Sequence, residues 1–94
     1  ALTPAAIELL LGQLDPEWQM IDSHHLSKKY TFKDFADALA FVNRIGAMAD
    51  EQNHHPDIYL CWGVARLDIW THTIDGLSEG DFIWAAKADR LARP

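Results

Sequence analysis

Hydrophobic residues along the chain recur with two different periods, and their alternation predicts three helices separated by two pairs of strands. The helical period of three to four residues, typical of a helix with one buried face, is clearest at Phe35, Leu39, Val42, Ile45 and Met48. The period of two, typical of a half-buried strand, is clearest at Ala65, Leu67 and Ile69, which alternate with Arg66, Asp68, Trp70 and His72. One face of the sheet is therefore expected to pack on helices and the other to be partly solvated.

Each predicted helix is preceded by a serine or threonine that can act as its N-cap. The side-chain oxygen of such a residue can accept a hydrogen bond from a free N–H of the first turn. Thr3 is followed by a proline, which suits the first position of a helix. Thr31 and Ser78 each have an aspartate three residues later, Asp34 and Asp81, as in a capping box. These signals predict helices that begin directly after Thr3, Thr31 and Ser78.

The strand-like segments come in pairs. The first pair covers residues 18–20 and 26–30, and the second covers 58–62 and 65–71 with Gly63 near the turn. The predicted order of elements is therefore α-β-β-α-β-β-α. This order indicates an α+β fold, in which three helices pack on one face of a four-stranded antiparallel sheet.

Length, composition and charge narrow the class of protein. A chain of 94 residues, 49% hydrophobic, can build one compact core, so we expect a single domain over residues 1–94. Eight basic against fourteen acidic residues give a net charge of 8 − 14 = −6, which argues against direct binding of nucleic acid or anionic lipid. No apolar stretch approaches the roughly 20 residues that a membrane-spanning helix needs. We therefore expect a soluble protein with no membrane or nucleic-acid partner.

Cys61 is the only cysteine, so no disulfide can form within the chain. It lies in an apolar run, which predicts a buried, reduced thiol rather than a nucleophile. An unpaired thiol favours a reducing compartment, and we expect the protein to be cytoplasmic.

Three histidines are candidates for acid–base chemistry, because imidazole can donate or accept a proton near neutral pH. His54 and His55 follow the central helix and precede Pro56, which stiffens the chain just before the next strand. His72 lies at the far end of the second strand pair. A hairpin that turns near Gly63 would bring His72 close to His54 and His55.

The spacing of these residues resembles that of a known family, the pterin-4a-carbinolamine dehydratases, also described as dimerisation cofactors of a homeodomain transcription factor. The family pattern has an acidic residue four positions before a His-His-Pro, then an aromatic residue, a histidine and an aspartate. The matching residues in this chain are Asp50, His54-His55-Pro56, Trp62, His72 and Asp81. The resemblance covers nearly the whole chain and shares the predicted order of helices and strands.

The resemblance implies an enzyme that removes water from a 4a-hydroxytetrahydropterin to give quinonoid dihydropterin, without metal or cofactor. It implies that His54 and His72 are acid candidates on the two faces of the pterin ring, and that His55 holds the pterin or takes the N5 proton, with these roles exchangeable. The other pocket residues that it implies are Asp50, Pro56, Thr71, Asp81 and, as a stacking wall, Trp18. It also implies a homodimer or homotetramer.

Some of these positions have a purely structural interpretation as well. Asp81 follows Ser78 at a position where capping and the helix dipole alone favour an acidic residue. The dipeptide His24-His25 has no following proline and is interpreted as structural. Trp84, on the last helix, is expected to lie away from the cleft at an oligomer contact.

Two other functions compete with the dehydratase. Three histidines and an aspartate could in principle bind zinc or iron, but adjacent residues such as His54 and His55 point in opposite directions and do not converge on one ion. The second alternative is a non-enzymatic dimerisation or transcriptional co-activator module, which the family resemblance also allows.

Overall fold

The computed structural model describes residues 2–93, and its elements follow the predicted order. The helices are α1 (Pro4–Leu11), α2 (Phe35–Gln52) and α3 (Glu79–Ala92). The strands are β1 (Gln19–Ile21), β2 (His25–Thr31), β3 (Asp57–Cys61) and β4 (Val64–Ile69), and a short 3-10 turn spans His72–Ile74. The prediction of an α+β fold with this order is confirmed.

The four strands form one antiparallel sheet in the order β1-β2-β4-β3. Asp68, near the end of β4, is paired on one side with Ser27 of β2 and on the other with Asp57, the first residue of β3. The end of β4 therefore lies beside the start of β3, which follows the His-His-Pro segment. It also lies beside the start of β2, which carries His25.

The core lies between the sheet and the helices. Ala65, Leu67 and Ile69 of β4 are fully buried, as their alternation predicts. They pack against Phe41 and Ile45 of α2 in one hydrophobic cluster. α2 buries one face only, and no helix within residues 2–93 is both long and apolar enough to cross a bilayer.

The helix starts agree with the predicted caps at two of three places. The hydroxyl of Thr3 accepts a hydrogen bond from Ala6 N at 3.2 Å, and α3 begins directly after Ser78. The prediction for Thr31 is wrong, because this residue is paired with Val64 and belongs to β2. The N-cap of α2 is Asp34, which was expected to be the third residue of that helix.

Cys61 is exposed, so the prediction of a buried thiol is wrong. It is the last residue of the edge strand β3. Cys61 alternates with Leu60, which is paired with the buried Ala65, so the side chain of Cys61 points to the open face of the sheet.

A buried polar network lies between the sheet and the C-terminal half of α3. Its centre is Asp89, whose carboxylate accepts hydrogen bonds from Trp18 Nε1 at 3.1 Å, Lys28 Nζ at 2.8 Å and Tyr30 Oη at 2.5 Å. Tyr30 is only 7% exposed. Burial, together with the hydrogen bond to Asp89 and the charge of that carboxylate, raises the pKa of the Tyr30 phenol well above its usual range.

Alkaline conditions are expected to destabilise the protein through Tyr30. A group whose pKa is raised on folding contributes stability that is complete below its unfolded pKa, about 10 for tyrosine, and that is lost as the pH rises toward the folded pKa. Above about pH 10, the free energy of unfolding of the wild type should fall more steeply than that of Tyr30→Phe, by about 1.4 kcal/mol per pH unit. Urea denaturation across this range measures both slopes. Tyr59→Phe, at an exposed tyrosine, should keep the wild-type slope, and equal slopes for wild type and Tyr30→Phe would contradict the prediction.

Candidate active site

The end of α2 places His54. Asn53 has a left-handed backbone with φ of 51°, and its N–H donates to Asp50 O at 3.2 Å. The N–H of His54 donates to Ala49 O at 3.0 Å. These two bonds form a Schellman motif, which ends a helix with a defined geometry. His54 is therefore held by the backbone of α2 before any side-chain contact is considered.

The side chain of His54 is fixed from α3. Its Nε2 lies 2.6 Å from Asp81 Oδ1, and its backbone carbonyl accepts a hydrogen bond from Trp84 Nε1 at 2.9 Å. Because a carboxylate accepts a hydrogen bond from Nε2–H, Nδ1 is the His54 nitrogen left to exchange a proton with a ligand. The ring is half-buried, so a ligand can reach it.

Asp81 is fully buried at 0% exposure and accepts three hydrogen bonds. Besides His54 Nε2, the donors are Thr71 Oγ1 at 2.9 Å and Ser78 N at 2.8 Å. The bond from Ser78 N is the capping interaction that the sequence suggests, whereas the bonds from His54 and Thr71 are not part of a cap. Capping alone therefore does not account for the contacts of Asp81.

His55 is held by a different carboxylate. Its Nε2 lies 2.8 Å from Asp50 Oδ1, and both side chains are exposed. Pro56 then leads into β3. Since His54 and His55 each direct Nε2 to a separate carboxylate, they face different sides of the loop, as expected for adjacent residues in extended chain.

The turn after β4 carries His72. Thr71 N donates to Gly76 O at 2.9 Å, which closes a loop around the 3-10 turn, and Thr71 Oγ1 donates to Asp81. The His72 ring packs on Trp70 with centroids 4.7 Å apart. Within residues 2–93 the His72 ring makes no hydrogen bond, so both of its nitrogens remain free for a ligand. One carboxylate thus links His54 to the residue that directly precedes His72.

A cleft of about 330 Å³ opens beside His54. Its other lining residues are Gln52, Asn53, Thr71, Ser78, Gly80, Ile83 and Trp84. A larger cavity of about 830 Å³ lies around Asp89, at the other end of α3, and contains none of the three candidate histidines. Of the three candidate histidines, His54 lines the smaller cleft and His55 and His72 are not among its lining residues. Because it contains a histidine oriented by a carboxylate, the smaller cleft is the better candidate for catalysis.

Trp18 and Trp84 lie in environments other than those that the sequence predicts, which are a stacking wall of the pocket for Trp18 and an oligomer contact for Trp84. Trp18 is 3% exposed and bonded to Asp89, which is eight residues, or roughly 12 Å of helix, beyond Asp81. A stacking wall needs an exposed ring face, so the structure does not support that role for Trp18. Trp84 is 2% exposed and contacts His54, so it belongs to the site and not to an oligomer contact. Its position three residues after Asp81, on the same face of α3, was the signal that could have placed it there.

His54 and His55 are each hydrogen-bonded to a different carboxylate, and their side chains do not surround a common point. Among residues 2–93, no group of three or more histidine, cysteine, aspartate or glutamate side chains has the geometry of a metal site. The geometry instead provides three imidazoles, two of them oriented by carboxylates.

Comparisons with known proteins agree with the geometry. Residues 1–91 match the family model described as Pterin 4 alpha carbinolamine dehydratase. A protein of Rubrobacter xylanophilus, provisionally named as a pterin-4-alpha-carbinolamine dehydratase, is 54% identical over 85 residues, which cover 90% of this chain and 78% of that protein. A protein of Alkaliphilus metalliredigens with the same provisional name is 45% identical, over 95% of this chain and 80% of that protein.

Solved structures give the same result for the fold. A transcriptional coactivator/pterin dehydratase from Brucella melitensis superposes with a TM-score of 0.91 at 28% identity, over 98% of both chains. A pterin dehydratase-like protein described as a RuBisCO assembly factor in the alpha-carboxysome has a TM-score of 0.71 at 24% identity, over 81% of this chain and 89% of that chain, and shows likeness of fold alone. The family match over residues 1–91 and the identity with its curated relatives establish that this chain belongs to the pterin-4a-carbinolamine dehydratase family.

Proposed function

We propose that the protein dehydrates 4a-hydroxytetrahydropterins to quinonoid dihydropterins by histidine general acid–base catalysis. The observation that carries the proposal is the hydrogen-bonded chain from His54 through Asp81 to Thr71, which lies next to His72. A buried carboxylate that fixes one imidazole and the loop of another is an arrangement for controlled proton transfer.

The reaction needs an acid at one atom and a base at another. The lone pair of N5 forms the C4a=N5 double bond while the C4a–O bond breaks, and the oxygen leaves as water when it receives a proton. The proton on N5 passes to a base. Each of these transfers lies within the range of imidazole near neutral pH, and no electrons leave the substrate.

The contacts of the three histidines support a division of roles among them. We assign His54, through its free Nδ1, and His72, through either nitrogen, as the acid candidates on the two faces of the pterin. His55 is assigned to holding the pterin and, alternatively, to taking the N5 proton. The orientation of His55 by Asp50 is compatible with both functions. The assignment among the three imidazoles remains exchangeable.

Polar groups near the histidines suit the amino-pyrimidine edge of a pterin, which offers donors and acceptors side by side. Asp50 is exposed beside His55, Thr71 lines the cleft, and the buried Asp81 is hydrogen-bonded to both His54 and Thr71. Pro56 stiffens the segment that carries both imidazoles. We assign these residues to substrate binding and positioning.

The cellular role that we propose is the recycling of tetrahydropterin after hydroxylation reactions, in the cytoplasm and without direct contact to nucleic acid or membrane. The net charge of −6 is consistent with the last point. Large apolar side chains remain exposed on α2, β3 and α3, namely Phe35, Leu39, Ile58 and Ile83. Such surfaces support assembly into a homodimer or homotetramer.

The alternative function is that of a non-enzymatic dimerisation or co-activator module. The similar protein from Brucella melitensis is described both as a transcriptional coactivator and as a pterin dehydratase, which supports this alternative. The two functions differ in one measurable quantity, the rate of dehydration.

The purified protein is expected to accelerate the dehydration of a 4a-hydroxytetrahydropterin well above the spontaneous rate. Stopped-flow absorbance of the quinonoid product measures this rate. The rate should be unchanged after treatment with EDTA, because imidazoles alone perform both proton transfers. A rate equal to the spontaneous one would leave only the scaffold function. Loss of activity with EDTA and its recovery with zinc would replace the acid–base mechanism by a metal-dependent one.

A further inference from the structure

Four aromatic rings meet at the end of β4, outside the hydrogen-bonded chain of the proposed active site. Trp70 lies at their centre, with ring centroids 5.1 Å from His24, 5.7 Å from His25 and 4.7 Å from His72. We refer to these four residues as the Trp70 cluster. Through Trp70, the cluster connects the dipeptide His24-His25, interpreted as structural from the sequence, to the ring of His72.

His24 is hydrogen-bonded at both ring nitrogens. Its Nε2 lies 2.7 Å from Asp75 Oδ1, and its Nδ1 lies 3.1 Å from the Nδ1 of His25. Because a carboxylate only accepts, the proton of His24 Nε2 must point to Asp75. Of the two facing Nδ1 atoms, one carries a proton and the other accepts it. The orientation of the His24 ring is thereby defined from both sides.

His24 and Asp75, the two partners of this contact, each lie in or next to a tight turn. Asp22 and Ser23 both have φ of 54°, and His24 N donates to Ile21 O at 2.9 Å, which are the marks of the tight turn that joins β1 to β2. At the other end, Asp75 has φ of 48° and its N–H donates to His72 O at 3.2 Å. Asp75 thus closes the turn that carries His72.

We propose that His24 is a positioning residue for His72, acting through Asp75 and the Trp70 cluster. The inference rests on the proposed function, since it assigns His24 a role in presenting His72 to the pterin. Backbone hydrogen bonds close the 3-10 turn, but residues 72–75 are all exposed, so few side-chain contacts hold the His72 ring in one orientation. The β1–β2 turn adds such a contact from the neighbouring strand, since β2 is paired with β4.

The expected change in kcat depends on how exposed the contact between His24 and Asp75 is. Asp75 is 86% exposed, so its bond to His24 contributes little to global stability. Small displacements of a catalytic group nevertheless lower the rate of the chemical step. We expect His24→Ala to lower kcat about fivefold, within the range of an exposed charged contact, with KM less affected.

The test compares His24→Ala with His24→Gln and Asp75→Ala. Glutamine can donate from Nε2 to Asp75 as histidine does, so His24→Gln should recover most of kcat, whereas Asp75→Ala should match His24→Ala. In parallel, the ¹H–¹³C resonance of the His72 ring should shift in His24→Ala and return toward the wild-type position in His24→Gln. Lys33→Ala, which breaks an exposed ion pair with Asp37, is the matched control and should leave both readouts unchanged.

The outcomes separate this inference from the proposed function. If the wild type is active and His24→Ala has the same kcat and the same His72 resonance, the positioning role alone is overturned. Loss of kcat that glutamine does not recover, without any shift of the His72 resonance, overturns it as well. Absence of wild-type activity overturns the dehydratase proposal, and the His72 resonance then still decides whether His24 positions His72.

Discussion

Replacement of His54 by alanine is expected to lower kcat for pterin dehydration by about 100-fold or more, the usual contribution of a positioned acid–base group. His54 is the candidate histidine with the most defined environment, since its Nε2 is held by Asp81 and its carbonyl by Trp84. His54 also lines the cleft, where its Nδ1 is free to meet a ligand. Loss of the imidazole removes this proton donor from the cleft.

The alanine variant also removes one of three donors to a buried carboxylate, which should lower the free energy of unfolding by about 1–2 kcal/mol. His54→Gln addresses this complication, because its amide N–H can still donate to Asp81 but cannot exchange a proton near neutral pH. Glu51→Ala, at an exposed position in the last turn of α2, is the matched control. We expect low kcat in both His54 variants and wild-type kcat in Glu51→Ala, from stopped-flow assays beside urea denaturation curves. Wild-type kcat in a folded His54→Gln would assign the acid to another group.

The architecture could be predicted well because it depends on simple periodicities. In β4, alternate side chains must point to opposite faces, so Ala65, Leu67 and Ile69 identify the buried face without knowledge of the partners. In α2 the same reasoning was only partly right, because Ile45 of the predicted stripe is buried, whereas Phe35 and Leu39 are exposed. The other buried residues of α2 are Ala38, Phe41 and Ala49. The strand order β1-β2-β4-β3 could not be obtained in this manner, because pairing between distant strands leaves no local signal.

The predicted start of α2 was wrong because the local preference of a residue for a helix cap competed with strand pairing. Thr31 has the side chain of an N-cap, but its pairing with Val64 keeps it extended in β2. The helix start then moves to Asp34, whose carboxylate accepts the N–H of Asp37 at 2.9 Å. Either residue can cap a helix on its own, and only the extent of the ladder decides between them.

The sequence pattern could nominate residues for the candidate site but could not specify the contacts between them. The pattern from Asp50 to Asp81 could be read from the chain and matched to a family, whereas the bond from Asp81 to His54 depends on how α3 lies against the end of α2. The same holds for Trp84 and for the contact of His24 with Asp75, both of which join distant segments. Bonds of this kind are consequences of packing. Spacing can place Trp84 on the same face of α3 as Asp81, but it does not identify the partner in a distant segment.

Asp81 combines two functions that are usually separate, and substitution by asparagine can distinguish them. As a cap, it accepts the N–H of Ser78, and asparagine can do so nearly as well. As a partner of His54, it must accept a hydrogen bond from Nε2–H. In Asp81→Asn the oxygen can remain on Ser78 and Thr71, which turns the amide NH₂ toward His54 and forces the proton of the neutral imidazole onto Nδ1. Because the amide NH₂ then faces Nε2, the ring cannot carry protons on both nitrogens, and a neutral imidazole is too weak an acid to donate its proton from Nδ1.

Asp81→Asn is therefore expected to lower kcat by about 100-fold while it costs only about 1 kcal/mol of stability. Asp34→Asn is the matched control, since Asp34 also caps a helix with its carboxylate but contacts no histidine within residues 2–93. It should keep wild-type kcat and lose little stability. Stopped-flow kinetics, urea denaturation and the ¹⁵N shifts of the His54 ring measure the three quantities. If Asp81→Asn kept both wild-type kcat and the wild-type tautomer of His54, Asp81 would be a helix cap and no more.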